Sequence, residues 1–283
     1  MSLRVDTSPI SGLALSDHDL SLIARIVYEQ SGISLHLGKR ALVAARLQKR
    51  LRKGGFRSFR QYVRYVQDDE SGAELTAMLD AIATNHTAFF REPRHFEILE
   101  RTVLPRLAAR GGPIRGWSAA CATGEEPYTI AMIQLDRIGP LAHQQARLLA
   151  SDLSTKALAT AAAGAYTRAR LRDVPPAFCQ RCFVPSGDDA DAMAVVTPPV
   201  RRLVEFRQLN LLHGNESLPL QDFIFCRNVM IYFDQDVQQR VVETLQQRLA
   251  PGGYLFVSHS ESLSRIKHGL TWIAPSIYRR GPA

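Results

Sequence analysis

Residues 111–127, GGPIRGWSAACATGEEP, mark the point where the pattern of the chain changes, and they decide its fold. Residues 114–120 form a short apolar run of strand length, and residues 124–138 then have helical spacing. The same alternation continues downstream, with strands predicted at Arg147–Leu153, Leu203–Leu211, Asp222–Met230 and Tyr254–Ser260, helices at Thr155–Gly164 and Asp234–Leu249, and a terminal hairpin over Leu270–Arg279. This order predicts an α/β fold, with a mostly parallel sheet covered by helices on both faces.

The residues before this point have helical patterns only. Ser16 is a suitable N-cap for a helix over Asp17–Gln30, and three further helices are predicted at Leu37–Lys53, Phe59–Val66 and Ala73–Ala83. We therefore expect a helical N-terminal domain over residues 1–84, a linker over residues 85–111 that contributes to the site, and an α/β domain over residues 112–283.

One stretch interrupts the alternation of strands and helices. Residues 166–202 are rich in Pro, Asp and Arg, and they are too many for an ordinary connection. We expect a small inserted subdomain there, built on a short antiparallel sheet.

Composition excludes several classes of protein. Hydrophobic residues make up 46% of the 283 residues and charged residues 22%, which is ordinary globular composition. No apolar run approaches the roughly 20 residues of a membrane helix, and no secretory signal is visible, so we expect a cytoplasmic protein without membrane insertion. The net charge of +8 favours an acidic partner but does not choose among nucleic acid, anionic lipid and protein.

The cysteines indicate no metal site. Cys179 and Cys182 form a C-x-x-C pair, but zinc needs four ligands and no second pair lies at usable spacing. Redox pairs of this kind open a helix after a strand, whereas this one follows Val174-Pro175-Pro176. We expect neither a metal nor a redox role.

Polar landmarks follow each predicted strand, where open α/β sheets bind their ligands. The loop after the first strand has small residues, but neither the three glycines of a dinucleotide fingerprint nor the lysine of a phosphate loop. Asp152 follows the second strand; it suits a ribose diol or, alternatively, a helix cap, and its position favours the ribose. Together the strand ends fit an adenosine cofactor without phosphates, for which S-adenosylmethionine is the prime candidate; the residues that complete this pattern are Glu125 or Glu126, Asn210, Leu211, Arg227, Asn228 and Tyr232.

At these positions the sequence resembles the chemoreceptor glutamate O-methyltransferases, the CheR family. The resemblance rests on blocks at residues 84–93, 117–128, 150–152 and 225–233, with a looser block at residues 252–261. It implies a Rossmann-like, S-adenosylmethionine-dependent methyltransferase sheet with a small β insertion, preceded by an all-helical domain. The implied reaction forms methyl esters on glutamates of bacterial chemoreceptors in chemotaxis adaptation.

The family pattern also implies roles for individual residues. Arg91 and Tyr232 would lie nearest the transferred methyl group and act in catalysis. The residues implied to bind the cofactor are Asn85, Thr87, Arg91, Glu126, Asp152, Asn210, Leu211, Arg227 and Asn228. Some members bind a receptor C-terminal peptide at a glycine-rich turn of the insertion; residues 185–191 here have one glycine and three aspartates, which weakens that expectation.

A basic stripe on the second helix is a candidate docking surface for the substrate. Its residues recur at spacings of three and four: Arg46, Lys49, Arg50 and Lys53. They form either a solvated helix face or a surface that docks glutamate-rich receptor helices. We expect the protein to act as a monomer.

Two other functions share these features. A nucleic-acid methyltransferase would use the same fold, but it usually carries Asn/Asp-Pro-Pro-aromatic where residues 227–232 read Arg-Asn-Val-Met-Ile-Tyr, and the basic helix lacks interleaved aromatics. We therefore expect no nucleic-acid partner. A non-catalytic sensor or scaffold that binds S-adenosylmethionine is the other alternative, and the presence of both Arg91 and Tyr232 argues against it.

Overall fold

The computed structural model describes residues 13–139, 142–186 and 193–282. The chain divides into two compact units, one up to Ala83 and one from Thr84 onward. Within the described residues, no helix is long and apolar enough to cross a membrane.

The first unit consists of helices. They are α1 (Asp17–Ser31), α2 (Arg40–Lys53, after a 3₁₀ turn at Leu37–Lys39), α3 (Phe59–Asp68) and α4 (Ala73–Ile82). The predicted N-cap is confirmed, because the Ser16 hydroxyl accepts the Asp19 N–H at 3.1 Å. Apolar side chains at helical spacing form the core, including Leu20, Ile23 and Val27 of α1 and Val43, Leu47 and Leu51 of α2.

The second unit is built on a seven-stranded sheet. Its strands are β1 (Ile114–Ala119), β2 (Ala146–Asp152), β6 (Val204–Gln208), β7 (Gln221–Cys226), β8 (Leu249–Phe256), β9 (Leu270–Ala274) and β10 (Ile277–Arg280), in the order β6-β2-β1-β7-β8-β10-β9. The first five in this order run parallel, and β10 is antiparallel to both of its neighbours. The strand order therefore reverses between β1 and β7, which is the place where such sheets bind ligands.

Helices and aromatic packing surround this sheet. The helices are α5 (Pro93–Ile98), a π-type turn (Leu99–Val103), α6 (Leu104–Arg110), α7 (Glu125–Ile138), α8 (Ala142–Gln145), α9 (Thr155–Ala163) and α12 (Gln235–Arg248). The ring of Phe225 stacks on Phe256 at 4.2 Å and on Phe96 at 5.6 Å between ring centroids. These contacts pack α5 against the middle of the sheet, near the carboxyl end of β7.

The β insertion has the antiparallel sheet that the sequence predicts. Strands β3 (Ala165–Thr167), β4 (Phe183–Ser186) and β5 (Met193–Val196) pair in the order β3-β5-β4. A 3₁₀ turn (Arg168–Leu171) and the helices α10 (Pro176–Cys182) and α11 (Pro198–Arg201) complete it. The turn whose composition departs from the family pattern lies largely outside the described residues.

The two cysteines of the C-x-x-C pair lie on α10. Both thiols are free, and burial raises the pKa of Cys182 to about 11 and raises that of Cys179 as well. Reactive cysteines have lowered pKa values, and the pKa values of these two thiols are shifted in the opposite direction.

All the predicted strands of the sheet differ somewhat from the structure in their bounds, and two of them differ by four residues or more at one end or both. The strand predicted at Asp222–Met230 ends at Cys226, because Asn228 is left-handed (φ 60°) and Met230–Tyr232 form a 3₁₀ turn. The strand predicted at Tyr254–Ser260 spans Leu249–Phe256, and the next N–H, that of Val257, donates to the Ser276 carbonyl in the turn between β9 and β10. Both differences lie where side chains of the candidate site leave the sheet.

Candidate active site

The loop after β1 is held against the end of β2. The N–H groups of Ala120 and Cys121 both donate to the Ser151 carbonyl at 2.8 Å, and the Ala122 N–H donates to Asp152 Oδ2 at 2.8 Å. Ala120 and Ala122 are both left-handed, with φ of 71° and 50°. That backbone costs an L-residue about 1–2 kcal/mol, so these hydrogen bonds hold a strained loop.

Gly124 makes the turn from this loop into α7. Its φ is 99°, and a Cβ there would lie 2.7 Å from the Tyr166 hydroxyl and 2.8 Å from the Ala161 Cβ. Only glycine fits both the conformation and the space.

Asp152 connects two loops, while a neighbouring residue caps the helix. Besides Ala122, its carboxylate accepts the Ser154 N–H at 2.8 Å. The cap of α9 is Ser154, whose hydroxyl accepts the Ala157 N–H at 3.1 Å and the Asn85 amide at 3.2 Å. Helix capping therefore does not account for Asp152, and Asn85 reaches the end of the same strand.

A buried arginine joins the ends of β1 and β7. Arg227 has a side chain that is 1% exposed, and its Nη1 lies 3.0 Å from Glu126 Oε2 while Nη2 lies 3.3 Å from Glu92 Oε2. The same guanidinium donates to the Arg91 carbonyl, and the Ser118 hydroxyl donates to Glu126 Oε1 at 2.7 Å. Two acidic groups and one basic group thus form a connected network at the switch in strand order.

The surroundings shift the pKa values of the two carboxyl groups in opposite directions. Burial raises the pKa of Glu126, and the charge of Arg227 opposes that rise. Burial also acts to raise the pKa of Glu92, but the Ser258 hydrogen bond and the Arg227 charge outweigh it, so the pKa is lowered. Glu92 is therefore the more readily ionised partner of Arg227.

The segment of residues 89–92 is anchored by its phenylalanines. Phe89 is buried, and its ring meets Tyr166 edge-on at 5.0 Å between centroids. The Phe90 N–H donates to the Thr129 hydroxyl at 3.2 Å, and Phe90 and Glu92 are left-handed, with φ of 53° and 59°. Between them, Arg91 is half-buried and donates to the His86 carbonyl at 3.1 Å.

Two loops meet beyond β7 and β8. The Asn228 amide donates to the Ser258 hydroxyl at 2.6 Å, and that hydroxyl donates to Glu92 Oε1 at 2.7 Å. Tyr232 is half-buried at the end of the 3₁₀ turn. Asn228 is thus linked through Ser258 to the network around Arg227.

The remaining predicted site residues have simpler surroundings. After β6, the Asn210 side chain accepts the Leu212 N–H at 3.0 Å, and Leu211 is buried. Thr87 is half-buried in the segment that precedes Phe89.

Glu92 also belongs to a cluster with two histidines. Ligating atoms of Glu92, His95 and His259 lie within 4.8 Å of one another, and this is the one such group of three among the residues that the structure describes. Burial, followed by the charge of Arg227, lowers the pKa of His95 to about 4, so its ring is neutral at physiological pH. The guanidinium of Arg227 provides the positive charge beside this carboxylate.

The basic stripe, which lies in the first unit, divides into two pairs. Arg50 pairs with Glu74, with its Nε 3.0 Å from Oε1, and Arg46 donates to the carbonyls of Ile82 and Ala83. Lys49 and Lys53 are exposed. Two of the four cations therefore contribute to the packing of the helical unit, and two face solvent.

Sequence reasoning assigned no role to three groups of this site. Glu92 lies in the block at residues 84–93, and Ser258 and Glu261 lie in the block at residues 252–261. Their partners in the other loops lie 30 to 167 residues away in sequence, so only the blocks themselves could have drawn attention to them.

Comparison with known proteins decides the family. Residues 85–277 match the family model described as CheR methyltransferase, SAM binding domain, and residues 18–83 match the CheR methyltransferase, all-alpha domain. The chain belongs to the CheR methyltransferase family. It is a methyltransferase of chemotaxis that depends on S-adenosylmethionine.

Relatives of this CheR-family chain match it over nearly their whole length. The chemotaxis protein methyltransferase of Escherichia coli is 38% identical over 267 residues, which are 94% of this chain and 92% of the relative. Chemotaxis protein methyltransferase 2 of Pseudomonas aeruginosa is 38% identical, with 92% of each chain covered. Among solved structures, the N-methyltransferase NodS of Bradyrhizobium japonicum, in complex with S-adenosyl-L-homocysteine, is 18% identical over 70% of each chain with a TM-score of 0.34, a superposition too loose to inform the site.

Proposed function

We propose that this enzyme transfers the methyl group of S-adenosylmethionine to glutamate side-chain carboxylates of bacterial chemoreceptors. The observation that carries the proposal is the network of Glu126, Arg227 and Glu92, which lies where the strand order reverses. The loop after β1, held to Asp152, forms the neighbouring part of the same edge.

The donor set fits this cofactor. S-adenosylmethionine has cationic groups and a ribose but no phosphate. The strand ends offer carboxylates, which suit these groups, rather than the lysine and backbone N–H groups of a phosphate-binding loop. In the proposal Asp152 binds the ribose diol and Glu126 the amino-acid region. The other cofactor contacts are Asn85, Thr87, Arg91, Asn210, Leu211, Arg227 and Asn228.

The chemistry needs positioning more than acid–base catalysis. When bound, S-adenosylmethionine supplies an electrophilic methyl group. An unperturbed glutamate has a pKa near ~4.3, so the acceptor is already a carboxylate at neutral pH and no general base is required. Alignment of two reactants can lower a barrier by up to ~7–11 kcal/mol in ideal cases, and that alignment is the task of the protein.

Tyr232 and Arg91 are the residues to which we assign the acceptor side. Tyr232 orients the glutamate by a hydrogen bond from its hydroxyl. Arg91 orders the cofactor and attracts the carboxylate, without a pairing so tight that it would weaken the nucleophile. Tyr232→Phe is therefore expected to lower turnover while cofactor binding, measured by calorimetry, is retained; lost cofactor binding would contradict this division of roles.

The substrate class is tested by incubation with methyl-labelled cofactor and purified chemoreceptor cytoplasmic fragments. Base-labile label on receptor glutamates is the expected result, with tRNA and DNA as controls. Label on nucleic acid would overturn the proposal, and cofactor binding without any label would favour the sensor or scaffold. Light scattering during the same preparation checks the expected monomer.

Docking of the receptor is assigned to the exposed part of the basic stripe. Lys49 and Lys53 face solvent, whereas reversal of Arg50 would leave Glu74 without its partner. Exposed charge pairs each contribute ~0.2–1 kcal/mol, so the effect should appear in the rate of association. The double variant Lys49→Glu, Lys53→Glu is expected to raise KM for the receptor at low salt. The control is the double variant Arg60→Glu, Arg64→Glu, which makes the same charge change on the exposed face of α3. Equal methylation by the two double variants would contradict the docking role.

A further inference from the structure

The backbone after β7 leaves the sheet without a strand partner. Pairing with β1 ends at Cys226, and the chain then turns through Asn228, which is left-handed, into the 3₁₀ turn that ends at Tyr232. This β7 loop, residues 227–232, carries the N–H groups that a continued strand would have bonded. Buried backbone donors need other partners, and the conformation of the loop depends on which partner they find.

One carboxylate supplies those partners. Glu261 Oε2 accepts the Asn228 N–H at 2.8 Å and the Ser258 N–H at 2.9 Å. Its Oε1 accepts the Met230 N–H at 2.7 Å and lies 3.4 Å from the Ile231 nitrogen. Glu261 is 6% exposed, so these hydrogen bonds lie in a poorly hydrated environment where a charged acceptor binds strongly.

We propose that Glu261 is a positioning residue for methyl transfer, which fixes the backbone that presents Asn228 and Tyr232. The inference rests on the proposed roles of those two residues. Glu261 acts through the main chain, since its carboxylate bonds backbone N–H groups on both sides of the left-handed turn. A displacement of about 1 Å in a reacting group can cost about a hundredfold in rate, so a loop held by one carboxylate makes turnover sensitive to that carboxylate.

A second buried carboxylate in the same unit provides a matched control. Asp222 is 5% exposed and accepts the Arg115 N–H at 2.8 Å and the Arg110 guanidinium at 2.6 Å. It lies near the start of β7, whereas the β7 loop follows the end of that strand. Asp222→Asn thus removes a buried charge that bonds backbone, at the other end of the same strand.

The experiment compares Glu261→Gln, Asp222→Asn and Tyr232→Phe in the full chain. Glutamine keeps the shape of Glu261 but turns an NH₂ group toward backbone donors. We expect kcat for methylation of a purified chemoreceptor fragment to fall about 10- to 100-fold, with KM for S-adenosylmethionine changed less than about threefold. Amide hydrogen exchange in a peptide spanning residues 226–233 should become about tenfold faster, because charge-assisted hydrogen bonds close that loop.

The control and the second variant make each outcome informative. Asp222→Asn is expected to lower the melting temperature while kcat and exchange at residues 226–233 stay at wild-type values. Glu261→Asp keeps the charge but shortens the side chain by one methylene. Its kcat and its exchange rate at residues 226–233 should lie between those of wild type and Glu261→Gln. It therefore tests the proposal even if the glutamine variant does not fold. Wild-type kcat and exchange in folded Glu261→Gln or Glu261→Asp enzyme would overturn the proposal.

Failure of the underlying roles gives a different result. If Tyr232→Phe has wild-type kcat, the role assigned to Tyr232 is wrong. Faster exchange in Glu261→Gln would then still show that Glu261 holds the β7 loop. If exchange in Glu261→Gln stays as slow as in wild type while Tyr232→Phe lowers kcat as expected, only the positioning role of Glu261 is contradicted.

Discussion

Removal of the Arg227 guanidinium tests whether Arg227 forms buried ion pairs with Glu92 and Glu126, where the strand order of the sheet reverses. Arg227→Met keeps most of the side-chain volume but leaves Glu92 and Glu126 without their shared cation. The distances are 3.0 and 3.3 Å, and at an effective dielectric constant of about 20 each attraction amounts to roughly 5 kcal/mol before desolvation is subtracted. Breaking a buried pair from one side costs about 3–5 kcal/mol, which is the expected loss of unfolding free energy.

Urea denaturation followed by tryptophan fluorescence measures this loss in the second unit, which contains Arg227. Both tryptophans, Trp117 and Trp272, lie in the second unit, so the signal does not report on the helical unit. Trp117 is fully buried and gives a large change on unfolding. Arg94→Met is the control, because its pair with Glu97 is exposed and is expected to contribute less than about 1 kcal/mol.

The cost of Arg227→Met should also depend on pH. Without the guanidinium, the native pKa values of Glu92 and Glu126 rise, so the native state holds protons that the unfolded state releases above about pH 4.5. The variant therefore loses stability relative to wild type as pH rises from 5 to 8. A loss no larger than that of Arg94→Met, or one independent of pH, would refute the account of Arg227 as the counter-ion of these carboxylates.

Three further predictions concern stability. The pKa of His95 is lowered to about 4 from 6.5, so the unfolded chain binds a proton that the native state excludes; stability should fall by up to about 3 kcal/mol as pH drops from 6.5 to 4, and His95→Gln should flatten that slope in urea titrations at several pH values. A Cβ at Gly116 would lie 2.2 Å from the buried Phe223 ring, so Gly116→Ala should destabilise by about 1–3 kcal/mol, and an unchanged melting temperature would contradict this packing. Ala122→Gly should gain up to about 1 kcal/mol in urea unfolding by relief of its left-handed backbone, whereas Ala119→Gly within β1 should lose stability.

Local pattern predicted the fold because the relevant signals are local. The strand and helix periods of β1, α7, β2 and α9 lie within single segments, and Ser16 caps its helix from three residues away. The predicted end of β7 was wrong because the residue that determines it is distant in sequence. Residues 227–233 contain an apolar run that looks like a continued strand, and the group that bends it is Glu261, about 30 residues later.

The difference between local and distant signals also explains which parts of the candidate site could be predicted from the sequence. Strand ends can be read from the sequence, so Glu126, Asp152, Arg227 and Asn228 could be named before their contacts were known. The partners of Arg50 and Arg227 lie 24 and about 100 residues away, respectively. A helical stripe of charge therefore did not reveal that Arg46 and Arg50 bind within their own unit, and no local pattern indicated that Glu92 completes the network.

Backbone strain in the described part of the chain is concentrated at the proposed site. Six non-glycine residues there are left-handed, and all except Ser276 lie in three segments around the switch point: Phe90 and Glu92, Ala120 and Ala122, and Asn228. Each segment is held by a polar side chain, which is Thr129 for the first, Asp152 for the second and Glu261 for the third. Strain of this kind persists only where surrounding contacts outweigh it. Since those contacts come from side chains of the protein itself, we expect the loops to be in place before the cofactor binds, so that the binding energy of the ligand serves alignment of the acceptor carboxylate rather than assembly of the site.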